Sequence, residues 1–463
     1  MLKGLEVSVL NYSEYRATNE FLRLDSEYFL KKVLYYEKKI IEKKFDTLEN
    51  ICKITSGKTP TYDIDGTVPV IRSGELNYKW LDEDSLLKVR SEKDIFYLKS
   101  NDVMISSIGF GSIGKVDVFF RKGKYATVSE VTVLRNTIVN PYFLAQYLST
   151  TIGQTFINKY ITGATGQLHL NKGSIKNILV PIFSETFQKV IEKIVVKGFE
   201  NIEDSKIIYK QAEIILLEEL KLQNLLYNSR AVNVKSFKES FWETGRLDAE
   251  YYQPKYDDLE KHIFKTGQAT KLRSHLIINK RGTQPVYTDS PLGLPVLNSK
   301  HIRENRIDYS DNRLGMVQDK AAELIIRKND VLINGTGVGT IGRSAVYMRN
   351  ELALPDNHVT ILRTKDLDPV FLSVQLNSII GKLQVEKYFK GSSGQIELYP
   401  ADIDEFIIWK APPEIQSQIR ETIEESEKLR LESEKLLKTA KNAVEIAIEE
   451  GEEDAMDYIK LNT

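Results

Sequence analysis

The chain has 463 residues, room for about three structural units, and its 41% hydrophobic and 28% charged residues are the balance of an ordinary globular protein with a sizeable core. Its 64 basic and 65 acidic residues leave a net charge of −1, which excludes a strongly basic field over the whole protein. A single cysteine, Cys52, excludes an intramolecular disulfide and a multi-cysteine zinc site. No run approaches about 18 consecutive apolar residues, so no transmembrane helix is expected. The opening Met1–Glu6 does not read as a signal peptide, and the expected setting is reduced and cytoplasmic.

In chain order, a leader (Met1–Leu22) precedes Arg23-Leu24-Asp25-Ser26-Glu27-Tyr28-Phe29, which opens a helix expected from Asp25 to about Lys44. Short runs rich in Val, Ile, Tyr and Phe follow, punctuated by Gly and Asn, and read as strands, among them Val68–Ile71 and Asp102–Ile105. A helix with proline at its first position is expected around Pro141–Gly153, then a Gly/Thr loop at 162–166. A long polar helix runs from about Glu185 to Asn228, with Gly198 a candidate early break.

The plan then starts again. Arg246-Leu247-Asp248-Ala249-Glu250-Tyr251-Tyr252 repeats the opener, and Gly282-Thr283-Gln284-Pro285-Val286-Tyr287 repeats Gly57-Lys58-Thr59-Pro60-Thr61-Tyr62. Asn329-Asp330-Val331 through Gly337, Gly339 and Gly342 repeats Asn101-Asp102-Val103 through Gly109, Gly111 and Gly114. Pro369-Val370-Phe371-Leu372 repeats Pro141-Tyr142-Phe143-Leu144, and Gly394-Gln395-Ile396 repeats Gly166-Gln167-Leu168. The offset grows from 223 to 228 and then stays fixed, which describes a duplicated domain rather than a short-period solenoid. The opening helix of the second copy is expected from Asp248 to about Phe264, and its closing helix from about Pro413 to Glu450.

The closing helix of the second copy carries Ile415, Ile419, Thr422, Ser426, Leu429, Ser433, Leu436, Ala440, Ala443 and Ala447 at spacings of three and four, a coiled-coil seam diluted by serines. The first carries Ile208, Ala212, Ile215, Leu222 and Leu226, interrupted by Glu219. Each is long enough to span roughly 55–65 Å and needs a partner to bury its stripe. Antiparallel pairing of the two, with the globular domains at the ends of a rod, is the expectation; each helix folding back on its own domain is the alternative. Charge is segregated. Residues 414–454 hold 13 acidic and 6 basic residues, a net of −7, so the rest of the chain is at +6, and residues 136–184 contain no acidic residue. Local basicity fits phosphate contacts, and ordinary surface variation gives the same pattern.

Motifs that suggest chemistry fail on context. Gly109–Gly114 and Gly337–Gly342 both spell GxGxxG, but a strand, not the helix that would hold a pyrophosphate, is expected after each. As phosphate loops they fail as well: Lys115-Val116 lacks the magnesium-binding hydroxyl, and Arg343-Ser344 lacks the lysine. A glycine-rich hairpin, either approaching another surface or simply a tight turn, fits better. Asn140-Pro141-Tyr142-Phe143 is similar to the amino-methyltransferase motif but lacks its second proline. The five histidines (His169, His262, His275, His301, His358) share no metal-ligand spacing, and no Ser/His/Asp or Cys/His arrangement stands out. An enzyme is not expected, and neither is a cofactor or a metal.

Where the two copies share a frame, their polar loop residues differ: Ile71–Glu75 against Leu297–His301, Ser106–Ile108 against Asn334–Thr336, Gln167–His169 against Gln395–Glu397. Two readers of different short sequences need such a constant scaffold with different side chains, and drifting surface loops produce it too.

The repeated Arg-Leu-Asp-x-Glu-Tyr openers, the two Gly-x-Gly-x-x-Gly-Lys/Arg hairpins, the Gly-Gln-(Leu/Ile) loops and the two long helices, in duplicated order over nearly the whole chain, resemble the specificity subunit of type I restriction–modification systems. The resemblance implies an α+β fold: two tandem duplicated α/β target-recognition domains separated by two long helices that pair as an antiparallel coiled coil. The implied layout is recognition domain 1 at 1–184 with the leader 1–22, the first long helix at 185–235, recognition domain 2 at 236–412, and the second long helix with an acidic tail at 413–463. It implies a non-catalytic reader of double-stranded DNA. Each domain would read half of a bipartite site. The helices would set the gap and dock methyltransferase (modification) subunits, two of them, with restriction subunits joining the larger complex; no membrane is involved. The residues expected at DNA are Lys58, Arg72, Asn77, Ser107, Lys115, Gln167 and His169 in the first copy. In the second they are Arg281, Gln284, Asn298, Lys300, Asn334, Arg343, Lys390 and Gln395. A specificity subunit for a fused type II methyltransferase–nuclease, and a two-headed protein-binding adaptor, are the alternatives.

Overall fold

The computed structural model describes the chain apart from residues 1–7, 19–21, 77–80, 82, 84–85, 92–93, 110, 164–167, 223–231, 310, 319–322, 392–393 and 395. It divides into two units, residues 1–203 with 429–463, and residues 204–428.

In the first unit, Arg23 and Asp25 form a fork-to-carboxylate pair (Nε–Oδ2 2.7 Å), and Asp25 caps a single turn, Ser26–Phe29. Leu30, at φ −56 and ψ 142, then breaks the path before helix α1, Lys31–Ile41. The single helix expected from Asp25 is therefore a capped turn followed by a helix. Lys159, 3% exposed, ties this entry down: its ammonium pairs with Glu37 and lies 4.1 Å from the Tyr28 ring centre, while Arg23 donates to the Lys159 carbonyl (2.9 Å).

Strands β1 (Lys53–Ser56), β2 (Val103–Ser106), β3 (Val116–Val118) and β4 (Val131–Arg135) form an antiparallel sheet in the order β1-β4-β2-β3. A smaller sheet of Val68–Ile71, Lys88–Val89 and Ala126–Thr127 shares a core with Met104, Val131 and Val133. Two helices follow, α2 (Pro141–Ser149) and α3 (Thr151–Tyr160), where the sequence suggested one. Thr150 separates them, its hydroxyl accepting the Gly153 N–H at 2.9 Å. Gly153 is required there, because a Cβ would meet the Tyr147 carbonyl at 2.2 Å.

The first long helix, Glu185–Glu219, runs through Gly198 without a break. A Cβ on Gly198 would lie 3.1 Å from Leu437, so the glycine admits the second long helix, Pro413–Glu449, instead of ending the first. In this unit Ile191, Val195 and Phe199 share a core with Leu436, Ala440, Ala443 and Ala447. The first long helix ends at Glu219, and Lys221 has left the helical region at φ +52; Leu226 of the expected stripe and Asn228, the expected helix end, lie outside the described residues. Gly451 (φ +127) ends the second, and the stretch read as an acidic tail is a further helix, Glu452–Asn462, with Ala455 and Ile459 buried.

The second unit has a sheet of matching order. Strands β5 (Leu276–Arg281), β6 (Val331–Asn334), β7 (Ser344–Val346) and β8 (Val359–Thr364) run β5-β8-β6-β7, again antiparallel. The opener is again a turn, Ala249–Tyr252, before helix α4, Pro254–Phe264. Helices α5 (Pro369–Asn377) and α6 (Ile379–Tyr388) are split at Ser378, and a Cβ on Gly381 would meet the Leu376 carbonyl at 2.0 Å. Ala212 and Leu216 share a core with Ile419 and Ile423, and the Ser205 and Ser426 hydroxyls meet at 3.0 Å. A glutamine from a long helix holds the start of the proline-led helix in each unit: Gln188 Oε1 accepts the Asn140 N–H (2.8 Å), and Gln416 Oε1 accepts the Asp368 N–H (2.9 Å).

Candidate nucleic-acid interface

One end of the first unit's sheet collects the polar loops. After β1 the chain turns at Gly57, whose N–H donates to the Val131 carbonyl at 3.0 Å. The Lys58 N–H donates to Thr127 (3.2 Å) and its side chain is exposed. Thr59 and Ser129 share a hydroxyl hydrogen bond of 2.7 Å, and both reach the Glu130 carboxylate, at 3.4 and 3.3 Å. The Glu130 carbonyl accepts the Ser107 N–H (2.8 Å), and the Ser107 carbonyl accepts the Leu170 N–H (2.9 Å). His169 forms single β-bridges with Ile108 and with Thr162. Lys58, Thr59, Glu130 and His169 are thus brought to one edge by backbone pairing between segments far apart in sequence.

The second unit repeats this edge with other side chains. Gly282 donates to Val359 (2.9 Å), Gly335 to the His358 carbonyl (2.8 Å), and Leu398 to Gly335 (2.8 Å). Glu397 bridges both Thr336 and Lys390. His358 is exposed, with Nδ1 2.8 Å from the Thr336 hydroxyl. Arg281 reaches across from the end of β5: Nη2 donates to the carbonyls of Gly335 (3.0 Å) and Leu398 (3.2 Å), Nη1 lies 3.8 Å from Glu397, and the guanidinium sits 5.3 Å from the Tyr399 ring centre. Glu397 beside Tyr399 raises the phenol's pKa. Asp356 is nearly buried, and that burial raises its pKa although its carboxylate accepts the His358 N–H at 2.9 Å.

The two glycine-rich segments are hairpin turns. Gly109, Gly111 and Gly114 have φ of +118, +76 and +82, and Gly337, Gly339 and Gly342 have +95, +76 and +81. A strand follows each, β3 and β7, so no helix N-terminus is available for a pyrophosphate. The N–H groups of Ser112 and Ile113 turn inward to the Gly109 carbonyl, and the Gly114 N–H donates to Ser106 (2.8 Å), which commits these three donors internally. Lys115 and Arg343 leave these turns half-buried.

The structure sorts the expected DNA residues. Lys58, Gln284, Lys300 and Lys390 are exposed, though Lys390 is paired with Asp402 at 2.8 Å. His169, Asn298 and Arg281 are half-buried at the same edges. Arg72 spends its fork on Glu75 (Nη2–Oε1 2.6 Å), which raises its pKa further. Two expected readers point inward. Ser107 is 6% exposed, bonded to the Thr132 hydroxyl at 2.6 Å, and Asn334 is 0% exposed, its amide donating to the Ser299 carbonyl at 3.0 Å. Both stand at strand ends, where sheet pairing turns a polar side chain into the core; they are scaffold residues. Asn77, Gln167 and Gln395 lie outside the described residues. The sequence reading missed Thr59, Ser129, Glu130, Thr336, His358 and Tyr399. The fixed offset of 228 was the available signal, since it pairs Glu130 with His358 and His169 with Glu397.

Among the described residues no group of three His, Cys, Asp or Glu side chains is placed to hold a metal ion, and no helix is long and apolar enough to cross a membrane.

Residues 41–218 match the family model of the type I restriction modification DNA specificity domain, so the resemblance read from the repeated motifs stands. The matched family is described as one of DNA specificity. Among solved structures the chain is similar to the type I restriction-modification system S subunit from M. genitalium, at 11% identity, with 90% of this chain and 95% of that chain covered and a TM-score of 0.35. A structure described under complex assembly and conformational transition of the type I R-M system is similar at 14% identity, covering 88% of this chain and 98% of that one, with a TM-score of 0.30. The HsdS subunit from Thermoanaerobacter tengcongensis is similar at 14% identity over 88% and 97% of the two chains, with a TM-score of 0.29. No curated protein matches the chain.

Proposed function

We propose that the chain is the non-catalytic DNA-specificity subunit of a type I restriction–modification complex, with two tandem target-recognition domains that each read one half of a bipartite site in double-stranded DNA. The observation that carries this reading is the edge described above: in each unit, one backbone frame gathers loops from distant parts of the chain and presents different polar side chains on it. Arg, Lys, Asn, Gln, Glu and His are the side chains that meet phosphates and base edges. Of the residues named from the sequence, Lys58, Lys115, His169, Gln284, Lys300, Arg343 and Lys390 stand where DNA would be met.

The long helices pair as an antiparallel coiled coil in this reading, set the unspecific gap between half-sites, and dock two modification subunits, with restriction subunits completing the assembly in the cytoplasm. Supporting this, the two long helices meet within each unit, Gly198 against Leu437 in the first and Ser205 against Ser426 in the second. Methylome sequencing of the native host with and without this chain tests the reading. Loss of methylation at one bipartite motif is the expected outcome. Unchanged methylation, together with no salt-dependent DNA affinity of the chain, would overturn it.

A further inference from the structure

In the frame shared by the two units, a glutamate and a histidine exchange places. The carbonyls of Glu130 and His358 accept equivalent N–H groups, of Ser107 and Gly335, each at 2.8 Å. On the other flank of the same strand extension, His169 bridges Ile108 and Glu397 bridges Thr336. Each second bridge also matches: Thr162 to His169, and Lys390 to Glu397. The backbone therefore holds positions 130 and 358, and positions 169 and 397, in the same places, while the first unit reads Glu then His and the second His then Glu.

Charge separates a reading role from a gripping role. A carboxylate repels DNA phosphates, so Glu130 adds nothing to backbone affinity. Its described partners, Thr59 and Ser129, are neutral hydroxyls that orient the carboxylate without cancelling its charge. An acceptor held this way suits the exocyclic amino group of cytosine, or that of adenine. His358 has the complementary chemistry. When its Nδ1 accepts the Thr336 hydroxyl proton, Nε2 carries the ring hydrogen and donates, which suits the N7 and O6 acceptors of guanine.

We infer that positions 130 and 169 in the first unit, and 358 and 397 in the second, determine base specificity, and that the Glu/His exchange gives the two half-sites different bases at matching positions. This rests on the DNA-reading function proposed above.

The test selects duplexes with randomised bases on the full-length chain, co-expressed with its host's modification subunits. Wild type is compared with E130Q, with the exchange E130H/H169E, and with H358Q. E130Q and H358Q are near in size at exposed or half-buried positions and keep the inference testable if the exchange fails to fold. The expected result is a loss of preference of about fivefold or more at one base of one half-site, with the other half-site unchanged. E130Q and the exchange act on one half-site and H358Q on the other. Uniformly altered affinity with both preferences intact would overturn the inference and leave the DNA-reading function standing. A wild-type chain with no sequence preference would overturn both.

Discussion

Arg135 grips Asp102 through two parallel hydrogen bonds, Nε to Oδ1 at 2.8 Å and Nη2 to Oδ2 at 2.6 Å, and also donates to the Tyr97 carbonyl at 2.9 Å. In the second unit Arg363 grips Asp330 the same way, at 2.7 and 2.8 Å, and donates to Ile325. Both aspartates are 1% exposed and accept a backbone N–H three residues earlier, from Lys99 and from Arg327. The pair fixes the turn that launches the central strand β2 or β6, and so fixes where that strand ends at the polar edge.

Removing the arginine strands a buried carboxylate. Arg135→Ala is expected to destabilise the first unit by about 3 kcal/mol or more, and Arg135→Lys to recover only part of this because the planar fork is lost. Denaturant unfolding of the full-length chain measures it. A cost below about 1 kcal/mol for the alanine variant would show that the pair does not support the turn.

Such pairs explain what could be read in the sequence. The duplication was legible because Asn101-Asp102-Val103 and the three glycines are local demands of turn and strand, repeated in order. The strands after the glycine turns were legible for the same reason: alternating Val and aromatic residues do not suit a helix start. The breaks at Leu30 and Thr150 were hidden, since helix propensity is continuous across them and tertiary packing decides the redirection. Glu130 was illegible as a site residue because it opens an ordinary strand, and only pairing across more than 20 residues brings it beside Ser107. Ser107 and Asn334 misled because polar residues at strand ends resemble surface loops until the sheet closes over them. Arg72 was a readable miss, with Glu75 three residues on to claim its fork.

Gly57 and Gly282 occupy matching turns in the two units, where the chain leaving β1 or β5 crosses the loop that leads into β4 or β8. A Cβ would meet the Val128 carbonyl or the Asp356 carbonyl at 2.2 Å, and backbone cannot yield as a flexible side chain would. Gly57→Ala is expected to cost about 1–3 kcal/mol and to displace Lys58 and Thr59 from the edge. Thermal unfolding reads the first effect, and weakened DNA binding of the still-folded variant reads the second. An alanine variant with wild-type stability would mean the loops separate freely.

Acid should loosen the second unit through Asp366. Lys410 (2.8 Å) and His275 (2.7 Å) hold its carboxyl down to about 2, below the usual carboxylate range, despite the opposing effect of partial burial. Because the folded value lies below the unfolded one of about 3.9, the stabilisation is present above pH 4 and disappears as pH falls from about 4 towards 2. Asp366→Asn should flatten the stability loss in that window and lower stability at pH 7. Identical acid unfolding curves for the two proteins would remove Asp366 from the account. The size of the effect is kept small by exposure, since 43% of the side chain faces solvent.

The gap between half-sites should follow the length of the helix pair, and the register dictates how to shorten it. Deleting seven residues from the second helix alone could not keep both Ser426 against Ser205 and Leu437 against Gly198, so packing would break on one side of the cut. A matched deletion of 199–205 and 426–432 takes the Ser205–Ser426 pair out together, removes about two turns from each helix and keeps the remaining register, because seven residues return close to the same face. It shortens the pair by about 10 Å at 1.5 Å per residue. DNA rises about 3.4 Å per base pair, so the unspecific gap should contract by about 3 base pairs while both half-site sequences stay the same. Methylome mapping of a host carrying the shortened chain reads both quantities at once. An unchanged gap with methylation retained would separate the helices from the spacing and leave them a role in subunit docking alone.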